Sequence, residues 1–320
     1  MAIVANTILT YSQIGIREDL KDAIYMISPT ETPCLAAFGS EKAYNTFVEW
    51  QTDTLAAAAS NAQLQGDDVS FTSPTFTTRV GNRTQISRKD VISSGTAEAV
   101  KKAGRASEKA WQLKKHAAEL RRDQEFILCS NQAPVTGNST TAQQLRPILS
   151  WYSTNVQAGG GSPANGTTTT ARTDGTQRTF TESLFQTAMQ SAWLNGGTPN
   201  LALTGPKQRI VLSSFTGFGS GGATKYDDTK DQKLYGTVGV YLSDFGEISF
   251  KASRFTRGAA TTADREVHVL TTDLWAVAEL RAPFTTDLAK TGDAEKAIIV
   301  TEYTLMSKNE AGSALIADLT

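Results

Sequence analysis

The chain has 320 residues, 39% hydrophobic and 20% charged, which excludes a fibrous or broadly disordered protein. Its 31 basic and 32 acidic side chains leave a formal net charge of −1, which excludes a protein that holds nucleic acid mainly by long-range attraction. The length slightly exceeds what one hydrophobic core usually fills, so one large domain with a lobe, or two subdomains, is expected.

Residues 1–45 read as an arm. Ile16, Leu20, Ala23 or Ile24, and Ile27 recur every three to four residues, the pattern of a short amphipathic helix. Thr32 is placed to cap a second short helix that starts at Pro33 and ends near Gly39. The start, MAIVANTILTYSQIGIRED, lacks the basic start, apolar core and cleavage site of a leader. No apolar run approaches the roughly 20 residues that span a bilayer. A soluble chain made in the cytoplasm, with no membrane partner, is expected.

Residues 45–90 switch period. Phe47, Glu49 and Gln51 alternate with Val48, Trp50 and Thr52, which predicts a strand. Thr75 to Ser87 is threonine-rich, with Phe76, Val80 and Ile86 at even spacing. Between them lies a long tip holding Ala56 to Ala59 and Gly66-Asp67-Asp68. Such a hairpin buries too little apolar surface to stand alone. It needs its own body or a neighbour to lie on.

Residues 95–129 predict one continuous helix of roughly 50 Å, capped by Thr96, with Glu98 in its first turn and Gly104 as its one internal glycine. Residues 153–178 are low in complexity and read as a flexible surface loop. Helices are expected from Thr181 to Leu194, stopped by Asn195-Gly196-Gly197, and from Pro206 to about Phe215. The glycine-rich patch Gly217 to Gly222 then leads into strands at Val238–Leu242, Glu247–Ala252 and Val267–Thr271. Residues 135–270 therefore read as a mixed α/β lobe. Strands at Trp275–Leu280 and Ala297–Met306 follow, with a charged turn at Asp293-Ala294-Glu295-Lys296.

Signals for chemistry are weak. His116 and Glu119 give H-x-x-E without the second histidine of a zincin helix, and His268 lies in a strand pattern. Cys34 and Cys129 cannot build a disulfide framework and point to a reducing compartment; both read as buried small hydrophobes. Gly219 to Lys225 fails the spacing of a phosphate loop. Asp67-Asp68 and Asp227-Asp228, with Asp231 nearby, read as solvated turns. No catalytic, cofactor or metal site is expected.

Charge is divided along the chain. Residues 88–122 hold ten basic and four acidic side chains, whereas residues 287–320 hold three basic and six acidic ones. This predicts complementary contact within the chain or between copies.

The order of parts resembles a major capsid protein of the Hong Kong 97 type. Seven stretches are similar to one family of tailed-bacteriophage major head proteins: Ile16–Leu20, Ile27–Pro33, Phe47–Asp53, Arg79–Ser87, Tyr241–Gly246, Leu288–Asp293 and Glu302–Leu305. The resemblance implies an α+β capsid fold divided as follows: an N-terminal arm (1–45), an extended β-hairpin loop (46–92), a peripheral domain with a long spine helix (93–134), an axial domain (135–270) and closing peripheral strands (271–320).

It also implies a structural protein, not an enzyme, that assembles as hexamers and pentamers into an icosahedral head. The head would enclose double-stranded DNA bound without sequence preference. Portal, scaffolding and optional cement proteins would be its partners, the virion its place, and the bacterial cytoplasm its site of assembly. Contacts between copies are expected at Phe47, Trp50, Arg79 and Arg83 of the loop and at Lys101, Arg105 and Lys109 of the helix.

Some capsids of this fold join a loop lysine to a neighbour's asparagine. No lysine occurs between Lys42 and Lys89, so no such crosslink is expected. Only about 15 residues precede Ile16, so any scaffold is expected to be a separate protein. The rival readings are an encapsulin-like compartment shell and a metal-dependent hydrolase using Asp227, Asp228 and Asp231.

Overall fold

A computed structural model describes residues 26–69, 71, 73–215, 240–256 and 264–320. The expected helix over residues 16–27 lies outside these residues but for its last two, which are exposed and not helical; the glycine patch at 217–222, the loop ending at Lys225 and the aspartates 227, 228 and 231 also lie outside them.

The first sheet has four strands in the order β1 (Gly39–Lys42), β10 (Trp275–Leu288), β11 (Ala294–Ser307), β4 (Gln85–Ser94). Strands β10 and β11 form a long antiparallel ribbon, from Trp275 opposite Ser307 to Leu288 opposite Lys296. The ribbon is longer than its sequence pattern because the outer half of β10 is exposed and needs no apolar alternation. The turn falls before the charged Asp293–Lys296 stretch: Gly292 takes a φ of 70°, and strand resumes at Ala294.

The expected helix over 95–129 is two helices, α2 (Gly95–Ala99) and α3 (Glu108–Leu128). The chain turns extended at Val100, and Gly104 takes a φ of 76°. Ser107 then caps α3 by accepting from the Ala110 amide. The Glu98 carboxylate folds back to accept from the amides of Lys109 (2.7 Å) and Glu108 (3.3 Å). The Lys109 bond is also the main cause holding its carboxyl below the ordinary range. Two devices thus satisfy the orphan donors of α3, whose 21 residues span about 32 Å.

The second sheet has the order β5 (Val156–Gln157), β12 (Ala314–Ile316), β9 (Val267–Leu270), β6 (Leu201–Thr204), β8 (Gly246–Ala252), β7 (Val240–Ser243). Both faces of its centre are covered, which is why β6, β9 and β12 lack polar alternation. Leu201, Leu203 and Leu315 face one core with Trp275, Tyr152 and Tyr303. Ala202, Val269 and Ile316 face another, with Phe185, Met189 and Phe250. Helices α5 (Glu182–Leu194) and α6 (Pro206–Ser213) belong to this lobe. Thr181 caps α5, and Asn195 ends it before Gly196 at φ 82°, the stop that the sequence predicts. The last strand, residues 314–316, enters this sheet and not the four-stranded one.

Residues 153–178 lie largely at the surface, as expected, with Thr167 to Thr170 exposed, but the segment is tied to the body. Asp318 makes the tie. Its buried carboxylate accepts from both terminal nitrogens of Arg172 (3.1 and 2.8 Å) and from the amides of Gly159 and Gly175. Asp318 itself sits at φ 59°, a conformation that short polar side chains tolerate best.

Candidate assembly surface

Strands β2 (Phe47–Thr52) and β3 (Thr78–Arg83) form a separate antiparallel hairpin, with Phe47 opposite Arg83 and Thr52 opposite Thr78. Its root is locked to the body. The Thr84 amide donates to the Thr46 carbonyl, and Gln143 donates to the Thr84 carbonyl at 2.8 Å. Buried Asn82 donates to the carbonyls of Arg146 (2.9 Å) and Leu305 (2.8 Å) and accepts from the Arg146 amide. Each of its polar atoms joins the hairpin to an element far away in sequence. No local pattern marks Asn82 for this role.

Trp50 is the second anchor. Its indole Nε1 donates to the Ser307 carbonyl at 2.9 Å, and its ring lies 5.4 Å from that of Trp151. Gly81 stands opposite Glu49, where an added Cβ would come within 2.9 Å of Phe47, Val48 and Glu49 atoms. The absent side chain lets Phe47 and Glu49 close over the strand. The Arg83 guanidinium then covers the Phe47 ring at 4.9 Å, and Arg79 pairs with Glu49. Of the four loop residues expected at contacts between copies, Phe47 and Arg83 pair with each other, Arg79 pairs with Glu49, and Trp50 anchors the hairpin to the body.

Beyond the root, residues 53–77 carry apolar side chains with little cover. Leu55, Phe71 and Phe76 are 99%, 94% and 88% exposed, and Leu64 and Val69 are also exposed. A groove of about 570 Å³ runs beside the hairpin, lined by Lys42, Tyr44, Phe47, Glu49 and Met306.

The basic helix region lies apart from the hairpin. Lys109 reaches the acidic ribbon of its own chain, 2.8 Å from Asp287 and 3.6 Å from Glu295. The Asp287 hydrogen bond is the main cause holding its ammonium above the ordinary lysine range. Arg105 pairs with Glu108, and Lys89 meets Asp123 at 2.8 Å. Lys101 is exposed and makes no ion pair among the described residues. So the divided charge is partly matched inside the subunit, through Lys109.

The histidines match their modest reading. His116 meets Glu119 at 2.8 Å on α3. His268 is fully buried against Tyr152, with neither ring nitrogen bonded, and burial pushes its pKa down to about 3. It is a neutral core residue. Among the described residues no helix is long and apolar enough to cross a membrane.

The chain matches the family described as SU10 major capsid protein over residues 3–320. It is 36% identical over 126 residues to the major capsid protein of Escherichia phage Phieco32. That match covers 39% of this chain and 36% of the relative, so the chain spans about a third of the curated relative's length. The fold is similar to the capsid asymmetric unit of cyanophage A-1(L), with a TM-score of 0.64, 12% identity and coverage of 95% of this chain and 97% of that one. It is also similar to the capsid of a native GTA particle, with a TM-score of 0.60, 10% identity and 97% coverage of both chains. A third likeness, to Microbacterium phage Oxtober96, has a TM-score of 0.57 and 13% identity over 95% and 96% of the two chains. These likenesses bear out the expected phage capsid fold of the Hong Kong 97 type.

Proposed function

The chain belongs to the SU10 major capsid protein family, a family of structural proteins and not enzymes, and on that premise we propose that it is the repeating subunit of a closed phage head. Copies associate as hexamers and pentamers that close an icosahedral shell around double-stranded DNA. Residues 1–45 act as the arm, 46–92 as the extended loop, 93–134 and 271–320 as the peripheral domain except for the last strand, 314–316, which belongs with the axial domain at 135–270. Portal and scaffolding proteins, with optional cement proteins, are the further partners, and assembly takes place in the bacterial cytoplasm.

The observation that carries this reading is the hairpin tip. Five large apolar side chains stand exposed on a segment whose root is hydrogen-bonded rigidly to the body. Exposed apolar area of this kind gains its burial from another surface. A surface repeated on every copy turns one such contact into many, so modest individual contacts add up to a stable shell.

Electron microscopy of the purified chain tests the reading. Closed shells are expected from the wild type. Phe71→Ser with Phe76→Ser is expected to leave folded, unassembled subunits with an unchanged circular dichroism spectrum. Absence of shells from the wild type under all conditions, or normal shells from the double variant, would overturn the proposal.

A further inference from the structure

Cys34 lies in the first turn of α1 (Pro33–Ala37), and Cys129 caps the C-terminus of α3. The two are 95 positions apart, and their Sγ atoms are 2.9 Å apart. Each residue is only 1% exposed, in a core shared with Phe38, Leu128, Tyr152 and Trp275. Glu125, one turn before Cys129, completes the cluster. Its two carboxylate oxygens accept from the amides of Cys34 (2.9 Å) and Leu35 (3.0 Å). Together with the Arg121 bond to the Thr32 hydroxyl, this docks α1 on α3 and fixes the first sulfur against the second.

Two chemistries suit such a pair, and the surroundings separate them. The three residues place sulfur and carboxylate donors within 4.8 Å of one another, as a metal site would. But a metal would need two thiolates and a carboxylate in an apolar core, leaving net negative charge without solvent. Both Glu125 oxygens are also already committed to backbone amides. Burial holds the Cys34 thiol well above its ordinary range, which opposes the thiolate that a metal requires. A disulfide is neutral, and the sulfurs need to close by only roughly 0.9 Å to reach its bond length.

We propose that Cys34 and Cys129 are a covalent modification site: an intrasubunit disulfide that staples α1, and the chain before it, to the end of α3. The oxidant is a low-molecular-weight disulfide. One cysteine loses its proton, attacks that disulfide and forms a mixed disulfide, releasing one small thiolate. The other cysteine, deprotonated in turn, attacks the protein-side sulfur; the Cys34–Cys129 bond forms and the second small thiolate leaves. The chain gives up two protons and two electrons, and the small disulfide becomes two thiols. Because both sulfurs are buried, the first attack requires α1 to lift from α3. A chain made in a reducing compartment therefore holds the dithiol, and the staple closes after exposure to oxidising surroundings.

The test uses the full purified chain. One sample is held in dithiothreitol and another in excess oxidised glutathione at 37 °C until unchanging; both are then unfolded in iodoacetamide and weighed. Two alkylated cysteines are expected in the reduced sample and none in the oxidised one, whose digest joins the Cys34 peptide to the Cys129 peptide. The thermal midpoint of the oxidised chain should rise by about 5 °C. Cys34→Ser and Cys129→Ser are each expected to take up one glutathione; the wild-type comparison stands even if neither folds. Two alkylatable thiols after oxidation, disulfide-linked dimers of the chain, or one zinc ion per chain retained through dialysis would each overturn the proposal.

Discussion

In the lobe built on the six-stranded sheet, Phe180, Phe185 and Phe250 are at most 7% exposed; in the hairpin tip, Phe71 and Phe76 are 94% and 88% exposed. Full burial of such a side chain is worth roughly 1.5–3 kcal/mol. The lobe takes that gain within one chain. The tip forgoes it, so its gain is available only against another surface. The tip is joined to the body at the hairpin root, where Asn82 and Trp50 bond to Arg146 and to Leu305 and Ser307 of the four-stranded sheet. A rigid root is what gives an exposed apolar tip a defined place to go. The comparison predicts a division of labour: substitutions in the lobe strike folding, and substitutions in the tip strike assembly.

The strongest test of that division is Asp318→Asn. This substitution keeps the shape and the tolerance of positive φ but removes the charge facing Arg172, in a pair whose side chains are 1% and 0% exposed. Breaking a buried pair in this way costs about 3–5 kcal/mol. Denaturant unfolding of dissociated subunits should show that loss. The Phe71→Ser, Phe76→Ser variant should stay within about 0.5 kcal/mol of wild type. Equal effects from the two would break the comparison.

A second, smaller effect concerns pH and should arise in the lobe. Glu266 is fully buried, near Asp174, Arg172, Asp264 and Asp318, and burial raises its pKa from 4.5 to about 8. The folded chain therefore keeps a proton that the unfolded chain releases above about pH 4.5. Its contribution is fully present below that value and declines as pH rises toward 8. Glu266→Gln should remove this decline. Between pH 5 and pH 8 the wild type should lose roughly 3.5 kcal/mol more than the variant, read from denaturant midpoints. Parallel profiles would remove Glu266 as the cause.

Local chemistry made much of this molecule readable from its sequence. The period-two run of β2 is visible there, and so are the β8 strand and the Asn195-Gly196 stop of α5, because each signal lies within a few neighbouring residues. The break between α2 and α3 was hidden: strong helix formers surround it, and part of what stabilises it is Glu98 reaching forward to the Lys109 amide. The order of residues 153–178 depends on Asp318, 146 positions from Arg172. The contact between Cys34 and Cys129 likewise spans 95 positions. At the candidate surface, the need of the hairpin for a support was legible. The in-chain roles of Trp50 and Lys109 were not, because each is set by a partner in the C-terminal ribbon.

That distinction yields the smallest and most selective test. Lys109 is 18% exposed and already faces Asp287 and Glu295 of its own ribbon, whereas Lys101 is exposed and makes no ion pair among the described residues. Lys109→Glu would replace attraction with repulsion and lower subunit stability only slightly, since Asp287 is itself well exposed. Lys101→Glu should leave subunit stability unchanged. Assembly should respond the other way. A charge satisfied within the chain adds little at an interface, but an unpaired exposed charge sets register and the dependence on salt. Light scattering across a salt titration should therefore show a shifted assembly midpoint for Lys101→Glu and a nearly wild-type one for Lys109→Glu. If both reversals shift it equally, the charge of the helix acts as an undivided patch, and the pairing of Lys109 with the ribbon has no bearing on how copies meet.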